Sequence, residues 1–276
     1  MMKICLDAGH YGEYNRSPAV SEYTEAECMW KLHLLLKSEL EKYGVQVILT
    51  RTEQARDMSL TERGRRGAGC DLFLSLHSNA VGDGVREDID YPVAYVAIDG
   101  KADEIGLALA QCVEKLMGTE QAARIEKRRG SNGDYYGVLR GAAQVGTMAL
   151  ILEHSFHTNT QMTEWLLIDG NLKRLAAAEA AVIAQYFNLE EEENMLRYER
   201  LSDIPDNWDK EGDPRATIEK LMNAGILNGD GSDRSGNDDI VDLSHDMVRT
   251  LILEYRGGAF DRALIAAGFE PAVEIS

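Results

Sequence analysis

The first two-thirds of the chain alternates short apolar runs with longer segments in which apolar residues recur every three or four positions. The short runs are typical of buried strands. They predict strands at Lys3–Leu6, Val45–Leu49, Asp71–His77, Pro92–Ile98 and Thr147–Leu152. The helical spacing predicts helices at Glu25–Lys42, Ser59–Ala68, Ala102–Met117 and Gly170–Phe187. This alternation predicts an α/β fold, with a mostly parallel twisted sheet and helices on both faces.

The last third of the chain has a sparser pattern, which begins after the acidic run Glu190–Glu193. It predicts two helices, Pro214–Ala224 and one that starts after Ser244, with the glycine-rich turn Gly225–Gly231 between them. A block of like charges is more often a solvated linker than a binding site. We therefore predict a domain at residues 1–189, an acidic linker at 190–200 and a small all-α module at 201–276.

The composition limits the partners and the compartment. The net charge is −18, and residues 190–276 carry 21 acidic and 9 basic residues. So acidic a surface argues against nucleic acid or anionic lipid as the main partner. No apolar run is long enough to cross a membrane, and the first residues do not read as a signal peptide, so we expect synthesis in the cytoplasm. The four cysteines are scattered without a CxxC pair, which gives no support for a cysteine-ligated metal or a disulfide framework.

Polar residues stand where three predicted strands end. His10 follows the first strand, His77 closes the third and Glu153 follows the fifth, while Glu25 begins a long helix. Ligands bind at the carboxyl ends of the strands in parallel α/β sheets. Two imidazoles and a carboxylate form a common catalytic zinc set that leaves one position for water, and a second carboxylate can accept a proton. Each of these residues alone could have an ordinary structural role. The hypothesis of a zinc site therefore rests on the four residues taken together.

Several segments also carry a resemblance to a known family, in family order across residues 1–189. They are Leu6–His10, Glu25–Leu40, Gly44–Arg51, Ser59–Arg63, Cys70–Ala80, Tyr136–Arg140 and Ala149–Asn159. In these segments the sequence resembles the zinc-dependent N-acetylmuramoyl-L-alanine amidases of the type 3 amidase family. The resemblance covers nearly the whole first domain.

The resemblance implies a role for each of the four residues. His10, Glu25 and His77 would bind one zinc ion, and Glu153 would be the catalytic carboxylate. Glu25 is preferred to the glutamates near it because its spacing to the following strand fits the family. The reaction implied is hydrolysis of the amide between N-acetylmuramic acid and L-alanine in peptidoglycan. Amides resist neutral water, and zinc both activates water and polarises the carbonyl oxygen.

We assign substrate binding to four further residues, which are Asn79, Arg128, Arg140 and His154. Arg128 lies in the basic patch Lys127–Arg129, which we interpret as a cleft edge that holds a carboxylate of the stem peptide; a solvated loop is the alternative. For His154 and for His157 near it, a substrate-facing or structural role is favoured over metal binding.

Three framework residues are weighed in the same way. Asp7 could orient His10, or it could be an ordinary turn residue. Arg51 and Arg63 lie in segments that resemble the framework of the family, and we interpret them as structural ion-pair residues.

The C-terminal module resembles one divergent S-layer-homology repeat, a module associated with cell-wall attachment. The similar residues are Trp208, Ala216–Leu221, Gly225–Gly231 and Met247–Arg249. The module departs from that family at Leu243–Asp246 and has a single copy, so wall-polymer binding and self-association stay open as alternatives. The acidic stretch Asp230–Asp242 lacks the spacing of a calcium loop, and we interpret it as a solvated turn.

These features together predict a peptidoglycan hydrolase of the endolysin type, made in the cytoplasm and acting at the cell wall after release. We expect peptidoglycan as its substrate and no membrane insertion. The alternatives are a host amidase of sporulation or wall remodelling, and a non-catalytic wall-binding protein. The presence of all four candidate residues argues against the last of these.

Overall fold

The computed structural model describes residues 2–82, 84–189, 197–205, 214–227 and 240–273. The chain divides into two compact units, Met1–Glu192 and Glu193–Ser276. The acidic run Glu190–Glu193, which the charge pattern predicts to be a solvated linker, lies outside the described residues.

A six-stranded sheet forms the centre of the first unit. Its strands are β1 (Lys3–Ala8), β2 (Gln46–Leu49), β3 (Leu72–Asn79), β4 (Val93–Val96), β5 (Arg124–Glu126) and β8 (Met148–Phe156). The strand order is β2-β1-β3-β8-β4-β5. Every neighbouring pair is parallel except β4 with β8. A small antiparallel hairpin, β6 (Arg129–Gly130) with β7 (Gly133–Asp134), follows β5 in the chain. The predicted mostly parallel sheet is confirmed.

Helices cover both faces of this sheet, as predicted. They are α1 (Glu25–Glu41), α2 (Leu60–Arg65), α3 (Asp103–Met117), α4 (Gly137–Gln144), α5 (Thr160–Leu167) and α6 (Asp169–Tyr186). Helices α1, α3 and α6 pack with the larger apolar cluster, whereas α4 packs with a smaller one on the other face. Successive side chains of a strand point to opposite faces, so Leu150 and Leu152 of β8 enter the first cluster while Ala149 and Ile151 enter the second.

Helices α2 and α4 approach each other closely because glycines lie at their contact. A Cβ on Gly64 would lie 2.0 Å from the Val138 carbonyl oxygen, and one on Gly141 would lie 2.2 Å from the Thr61 carbonyl oxygen. Ser59 caps α2 by accepting the Glu62 backbone N–H, which confirms the predicted helix start.

The predicted strand at Thr147–Leu152 is longer in the structure. Strand β8 continues to Phe156, so Glu153 lies within a strand rather than after its end. The structure adds elements that the apolar pattern does not predict, namely β5, the β6–β7 hairpin, α4 and α5. None of these elements is longer than eight residues, so each offers few positions from which an apolar period can be recognised.

The second unit has its own small core. It contains strands β9 (Arg197–Arg200) and β10 (Ile240–Ser244), helices α7 (Pro214–Asn223), α8 (His245–Arg256) and α9 (Asp261–Ala266), and a short 3₁₀ turn at Leu201–Asp203. Its buried apolar residues include Tyr198, Ile204, Ile218, Leu221, Val241, Leu243, Val248, Ile252 and Leu264.

This unit corrects two predictions. Residues 197–200, predicted as part of the linker, form β9 and pair antiparallel with β10. The predicted helices are present, but the module is not all-α because this two-stranded sheet belongs to it. Trp208 and most of the predicted glycine-rich and acidic turns lie outside the described residues. Among the described helices, none is long and apolar enough to cross a membrane.

Candidate active site

Three of the predicted residues meet at the carboxyl end of the sheet. One possible ligand atom from each of His10, Glu25 and His77 lies within 4.8 Å of the other two. His10 follows β1, His77 belongs to β3, and these strands are parallel neighbours. Glu25 is the first residue of α1 and brings its carboxylate to the same place.

A glycine makes the close approach of the two histidine segments feasible. Gly9 donates its backbone N–H to the Leu76 carbonyl oxygen at 2.9 Å, which ties the turn after β1 to β3. A Cβ at Gly9 would lie 2.5 Å from Cε1 of the His77 ring, closer than side-chain carbons approach one another. Any side chain at this position would therefore displace His77.

Two buried arginines hold the turn that carries His10. Arg51 and Arg63 both donate to the Ala8 carbonyl oxygen, at 2.6 and 3.0 Å, and Arg63 also donates to the His10 carbonyl oxygen at 3.1 Å. These contacts fix the backbone on either side of Gly9. Both arginines therefore act in the framework, as predicted, but mainly through carbonyl oxygens.

Asp7 anchors β1, and its hydrogen bonds do not involve the His10 ring. It is fully buried, accepts hydrogen bonds from Thr50 at 2.6 Å and Ser75 at 2.8 Å, and lies 3.5 Å from Arg63. Of the two roles considered for Asp7, orientation of His10 has no support in these contacts. The structure makes Asp7 a crosslink between neighbouring strands.

Glu25 is buried among groups that favour its charge. Its Oε1 lies 2.8 Å from Nδ1 of His77 and accepts the Ser78 backbone N–H at 3.1 Å. Its Oε2 accepts from Nδ2 of Asn15 at 2.8 Å and lies 3.3 Å from Nε2 of His10. Burial by itself would raise the pKa of the Glu25 carboxyl, but the contacts with His10 and His77 hold that pKa well below its ordinary value.

Glu153 is a second buried carboxylate, and its surroundings are poor in donors. It lies opposite His77 in the pairing of β3 with β8 and is 8% exposed. Its Oε2 has no hydrogen-bond partner among the residues that the structure describes. Burial raises the pKa of Glu153 well above its ordinary value, the negative charge of Glu25 adds to this, and the positive charge of Arg128 opposes it.

Arg128 lies at the rim beside Glu153, supported by aromatic rings. Its guanidinium carbon lies 4.5 Å from the ring centroid of Tyr95, and Nη2 donates to the Tyr95 hydroxyl at 3.0 Å. Tyr136 packs against Tyr95 with ring centroids 4.9 Å apart. Arg128 also pairs with Glu126 at 3.5 Å, whereas its neighbour Lys127 pairs with Asp103. Arg128 is the residue of the predicted basic patch whose charge acts on Glu153.

Asn79 and Arg140, the next two predicted substrate residues, differ in their contacts. Asn79 ends β3 and accepts the Ala80 backbone N–H, and it opposes the rise that burial causes in the pKa of Tyr95, so it lies beside the rim. Arg140 donates to the carbonyl oxygens of Asp134 and Tyr135 at 2.8 and 2.6 Å, and it therefore stabilises the segment after the β6–β7 hairpin. Substrate binding by either residue stays a prediction.

His154 does not face the site, and we withdraw its assignment to substrate binding. Glu153 and His154 are consecutive in β8, so their side chains point to opposite faces of the sheet. His154 is fully buried, with Nδ1 2.8 Å from the His77 carbonyl oxygen and Nε2 2.7 Å from Oε1 of Glu179 on α6. Both ring nitrogens are occupied within the core, which leaves a structural role.

His157 also has a structural environment. Its Nδ1 lies 2.9 Å from the Ser78 hydroxyl, and its ring stacks on Tyr23, which in turn bonds the same hydroxyl at 2.7 Å. It comes no closer than 3.9 Å to Oε2 of Glu25. Burial lowers the pKa of His157, which favours the neutral ring.

The sequence analysis missed four residues that shape the site. They are Asn15, Ser78, Tyr95 and Tyr136. Ser78 directly follows a predicted strand end, but it contributes a backbone N–H, which residue type does not reveal. Tyr95 and Tyr136 do not follow a predicted strand end, and Asn15 has a left-handed backbone conformation (φ 56°) that the apolar pattern does not encode.

The fold and these side chains together define a class of protein. It is an α/β protein in which two imidazoles from strand ends and a carboxylate from a helix start converge, a donor set that is common in catalytic zinc sites, with a second carboxylate beside them. A family model described as N-acetylmuramoyl-L-alanine amidase matches residues 4–185. The chain belongs to this family of peptidoglycan amidases.

A curated relative supports the same conclusion. The chain is 30% identical over 193 residues to the N-acetylmuramoyl-L-alanine amidase CwlM of Bacillus licheniformis, a match that covers 68% of this chain and 70% of that protein. The activity named for the family and for this relative is the amidase activity that the sequence analysis predicted.

Solved structures share the fold of the first unit. One is the catalytic domain of CwlV from Bacillus (Paenibacillus) polymyxa, with 21% identity and a TM-score of 0.54, covering 69% of this chain and all of that one. Another is an amidase of Clostridium difficile 630, with 19% identity and a TM-score of 0.57, covering 68% and 97%. A third is CwlD of Clostridioides difficile in complex with the GerS lipoprotein, with 16% identity and a TM-score of 0.56, covering 68% and 99%.

Proposed function

We propose that this amidase hydrolyses the amide between N-acetylmuramic acid and L-alanine with one zinc ion held by His10, Glu25 and His77. The convergence of these three side chains within 4.8 Å carries the proposal. The donor set fits the metal, because two imidazole nitrogens and one carboxylate are common ligands of catalytic zinc. Zinc, when bound, supplies a Lewis acid for the carbonyl oxygen and lowers the pKa of water toward about 7.

Glu25 suits a ligand role because it is ionised and fixed in place. Its low pKa keeps the carboxylate charged, and the hydrogen bond from Ser78 to Oε1 limits its rotation. The arginine contacts to the backbone of the His10 turn limit movement of the second ligand. This rigidity favours binding because few side-chain motions remain to be lost.

Glu153 suits the proton transfer. In hydrolysis it would accept a proton from the attacking water and deliver it to the nitrogen of L-alanine as the amide bond breaks. Its raised pKa brings proton acceptance and release closer to neutral pH. Its Oε2, which lacks a partner among the described residues, is available for this exchange.

Arg128 suits recognition of the stem peptide. It presents a positive charge at the rim, and its side chain is 48% exposed. A carboxylate of the peptide would find a donor there, with Tyr95 beneath it as a support. We therefore keep the predicted cleft edge at Arg128 and propose that the peptide lies on this side of Glu153.

The test is mass analysis of the products from purified peptidoglycan. We expect free stem peptides that begin with L-alanine, and intact glycan strands. Muropeptides that keep the lactyl amide would contradict the proposed bond. The Glu153→Gln protein serves as a control, because it should release no such peptides while it keeps the same fold.

The biological setting has two candidates. The sequence analysis predicts a phage or prophage endolysin, and the bacterial relatives named above favour a host amidase of wall remodelling or sporulation. We propose the host role on that observation. A holin gene beside the coding sequence, or lysis of the producing cell when a holin is co-expressed, would contradict it and restore the endolysin role.

For the second unit we propose wall-polymer binding or self-association, the two roles that its sequence leaves open. The excess of acidic residues after position 190 opposes simple charge attraction to anionic wall polymers. Light scattering of the full-length protein at increasing concentration separates the two, because only self-association raises the measured mass without a wall polymer present.

A further inference from the structure

Asn15 contacts two of the three side chains that converge in the active site. Its carboxamide nitrogen lies 2.8 Å from Oε2 of Glu25 and 3.0 Å from Nε2 of His10. The direct distance between those two atoms, 3.3 Å, is longer than either. The Asn15 nitrogen is therefore closer to each of these atoms than they are to one another.

The donor and the acceptor in the contact with Glu25 can be assigned. A carboxylate only accepts hydrogen bonds, so the carboxamide turns its NH₂ group, not its oxygen, toward Oε2 of Glu25. The same NH₂ group also lies 3.0 Å from Nε2 of His10.

The hydrogen bond from Asn15 is compatible with metal binding by Glu25. A carboxylate oxygen carries two lone pairs, so Oε2 can accept from Asn15 and still bind a metal through the other lone pair. The contact therefore restrains the orientation of Glu25 without preventing it from acting as a ligand.

The backbone holds Asn15 against the start of α1. The Asn15 carbonyl oxygen accepts the Glu25 backbone N–H at 2.9 Å, and the next residue, Arg16, forms an antiparallel bridge with Thr24. Asn15 has a φ of 56°, a left-handed conformation that asparagine and glycine adopt more readily than other residues. Its side chain is thus positioned by the same short segment that positions Glu25.

We propose that Asn15 is a positioning residue of the metal site, which orients the carboxylate of Glu25. This inference rests on the proposed zinc-dependent function. Residues that hydrogen-bond metal ligands typically change metal affinity by about 10- to 100-fold when they are removed. Asn15 is exposed, so its removal leaves no cavity in the core.

The test compares zinc affinity of the full-length wild-type and Asn15→Gly proteins, measured by competition with a chromophoric chelator at fixed pH. Glycine keeps the left-handed backbone and removes only the carboxamide. We expect the affinity to fall about 10-fold or more. An affinity equal to that of the wild type, or a higher one, would overturn the inference.

A matched control is present in the same chain. Asn188 also has a left-handed backbone, with a φ of 52°, and Asn188→Gly makes the same chemical change outside the active site. We expect this variant to bind zinc like the wild type. A loss equal to that of Asn15→Gly would assign the effect to the backbone substitution and overturn the inference.

The isosteric variant Asn15→Asp gives a second readout. It keeps the size of the side chain but replaces the NH₂ group with an oxygen that only accepts. We expect the visible absorption spectrum of the Co²⁺-loaded protein to change, and an unchanged spectrum would count against the proposal. A wild-type protein that binds no zinc would overturn both this inference and the proposed function, whereas equal affinities of wild type and Asn15→Gly overturn the inference alone.

Discussion

Two glutamates in neighbouring regions of the active site have opposite acidities. Glu25 lies at a helix start, and its contacts with His10 and His77 hold its pKa well below the ordinary value. Glu153 lies in a strand near Arg128, with one oxygen unpartnered in the described part of the chain, and its pKa is well above the ordinary value. Both side chains are almost fully buried.

The difference shows that the neighbouring polar groups, and not burial, separate the two roles. Burial alone would raise both pKa values, but the contacts of Glu25 with His10 and His77 more than compensate for its loss of hydration. A permanently charged carboxylate is suited to hold a cation, and one that readily gains and loses a proton is suited to acid–base chemistry. Two groups whose environments push their pKa values apart are a recurring sign of divided roles.

The largest effect is expected from Glu25→Gln. The neutral amide cannot supply a charged ligand, and it places an NH₂ group among donors that need an acceptor. We expect zinc affinity to fall by more than about 100-fold and hydrolysis to be lost with it. Metal content after dialysis, measured beside the rate on purified walls, checks this. If the Glu25→Gln protein kept stoichiometric zinc, Glu25 would not be a metal ligand.

Glu153→Gln should separate chemistry from metal binding. The substitution removes the proton acceptor but leaves the shape of the side chain, so we expect kcat to fall by about 10² to 10⁴. Zinc content should equal that of the wild type, because Glu153 does not belong to the converging set. If both activity and zinc were lost, the two glutamates would not have the separate roles that their surroundings indicate.

A third buried carboxylate, Glu179, tests whether contact with a single partner, His154, is enough to stabilise a buried acidic side chain. It is fully buried, and its Oε1 lies 2.7 Å from Nε2 of His154, on the face of the sheet opposite to Glu153. Glu179→Leu leaves His154 without its partner, and we expect the free energy of unfolding to fall by about 3 kcal/mol. Urea denaturation measures this. The double variant with His154→Leu should recover part of the loss, and full additivity would show that the contact contributes nothing.

Arg128→Ala should give the smallest effect, and it has two parts. Loss of the rim charge should raise KM for peptidoglycan a few-fold, which is about 1 kcal/mol in binding. Arg128 lowers the pKa of Glu153, so without it that pKa rises further. Because the ionised form accepts the proton, the acidic limb of the pH–rate profile should move to higher pH. Arg129→Ala is the control, and equal profiles for both variants would contradict a specific contact with Glu153.

Strand ends made three of the four central residues predictable, and the start of a long helix made the fourth, Glu25, predictable. The apolar runs before His10, His77 and Glu153 place them at one edge of a parallel sheet, where the structure indeed brings the histidines together with Glu25. The order of the main helices and strands was predictable for the same reason, since buried strands and amphipathic helices differ in their apolar period.

The error at His154 has a physical cause. The apolar run stops at Leu152, which predicts a loop for the following residues, where side-chain direction is free. In the structure β8 continues to Phe156, and its alternation turns His154 away from Glu153. Polar residues extend this strand because they find partners in the core, such as Glu179, and that pairing depends on contacts distant in sequence.

Asn15 was missed for a different reason. Its position depends on a single left-handed φ angle and on a backbone contact with Glu25, ten residues later. Neither leaves a periodic signal in the sequence, and asparagine in a polar segment is ordinarily a turn residue.

The glycine between the first strand and His10 has a consequence for how this enzyme tolerates change. Because a methyl carbon at Gly9 would lie only 2.5 Å from the His77 ring, the spacing of the two imidazoles is set by a residue that has no side chain. A survey of inactivating substitutions would therefore rank Gly9 with the histidines themselves. The empty volume of one methyl group is as much a requirement of this active site as any functional group that lines it.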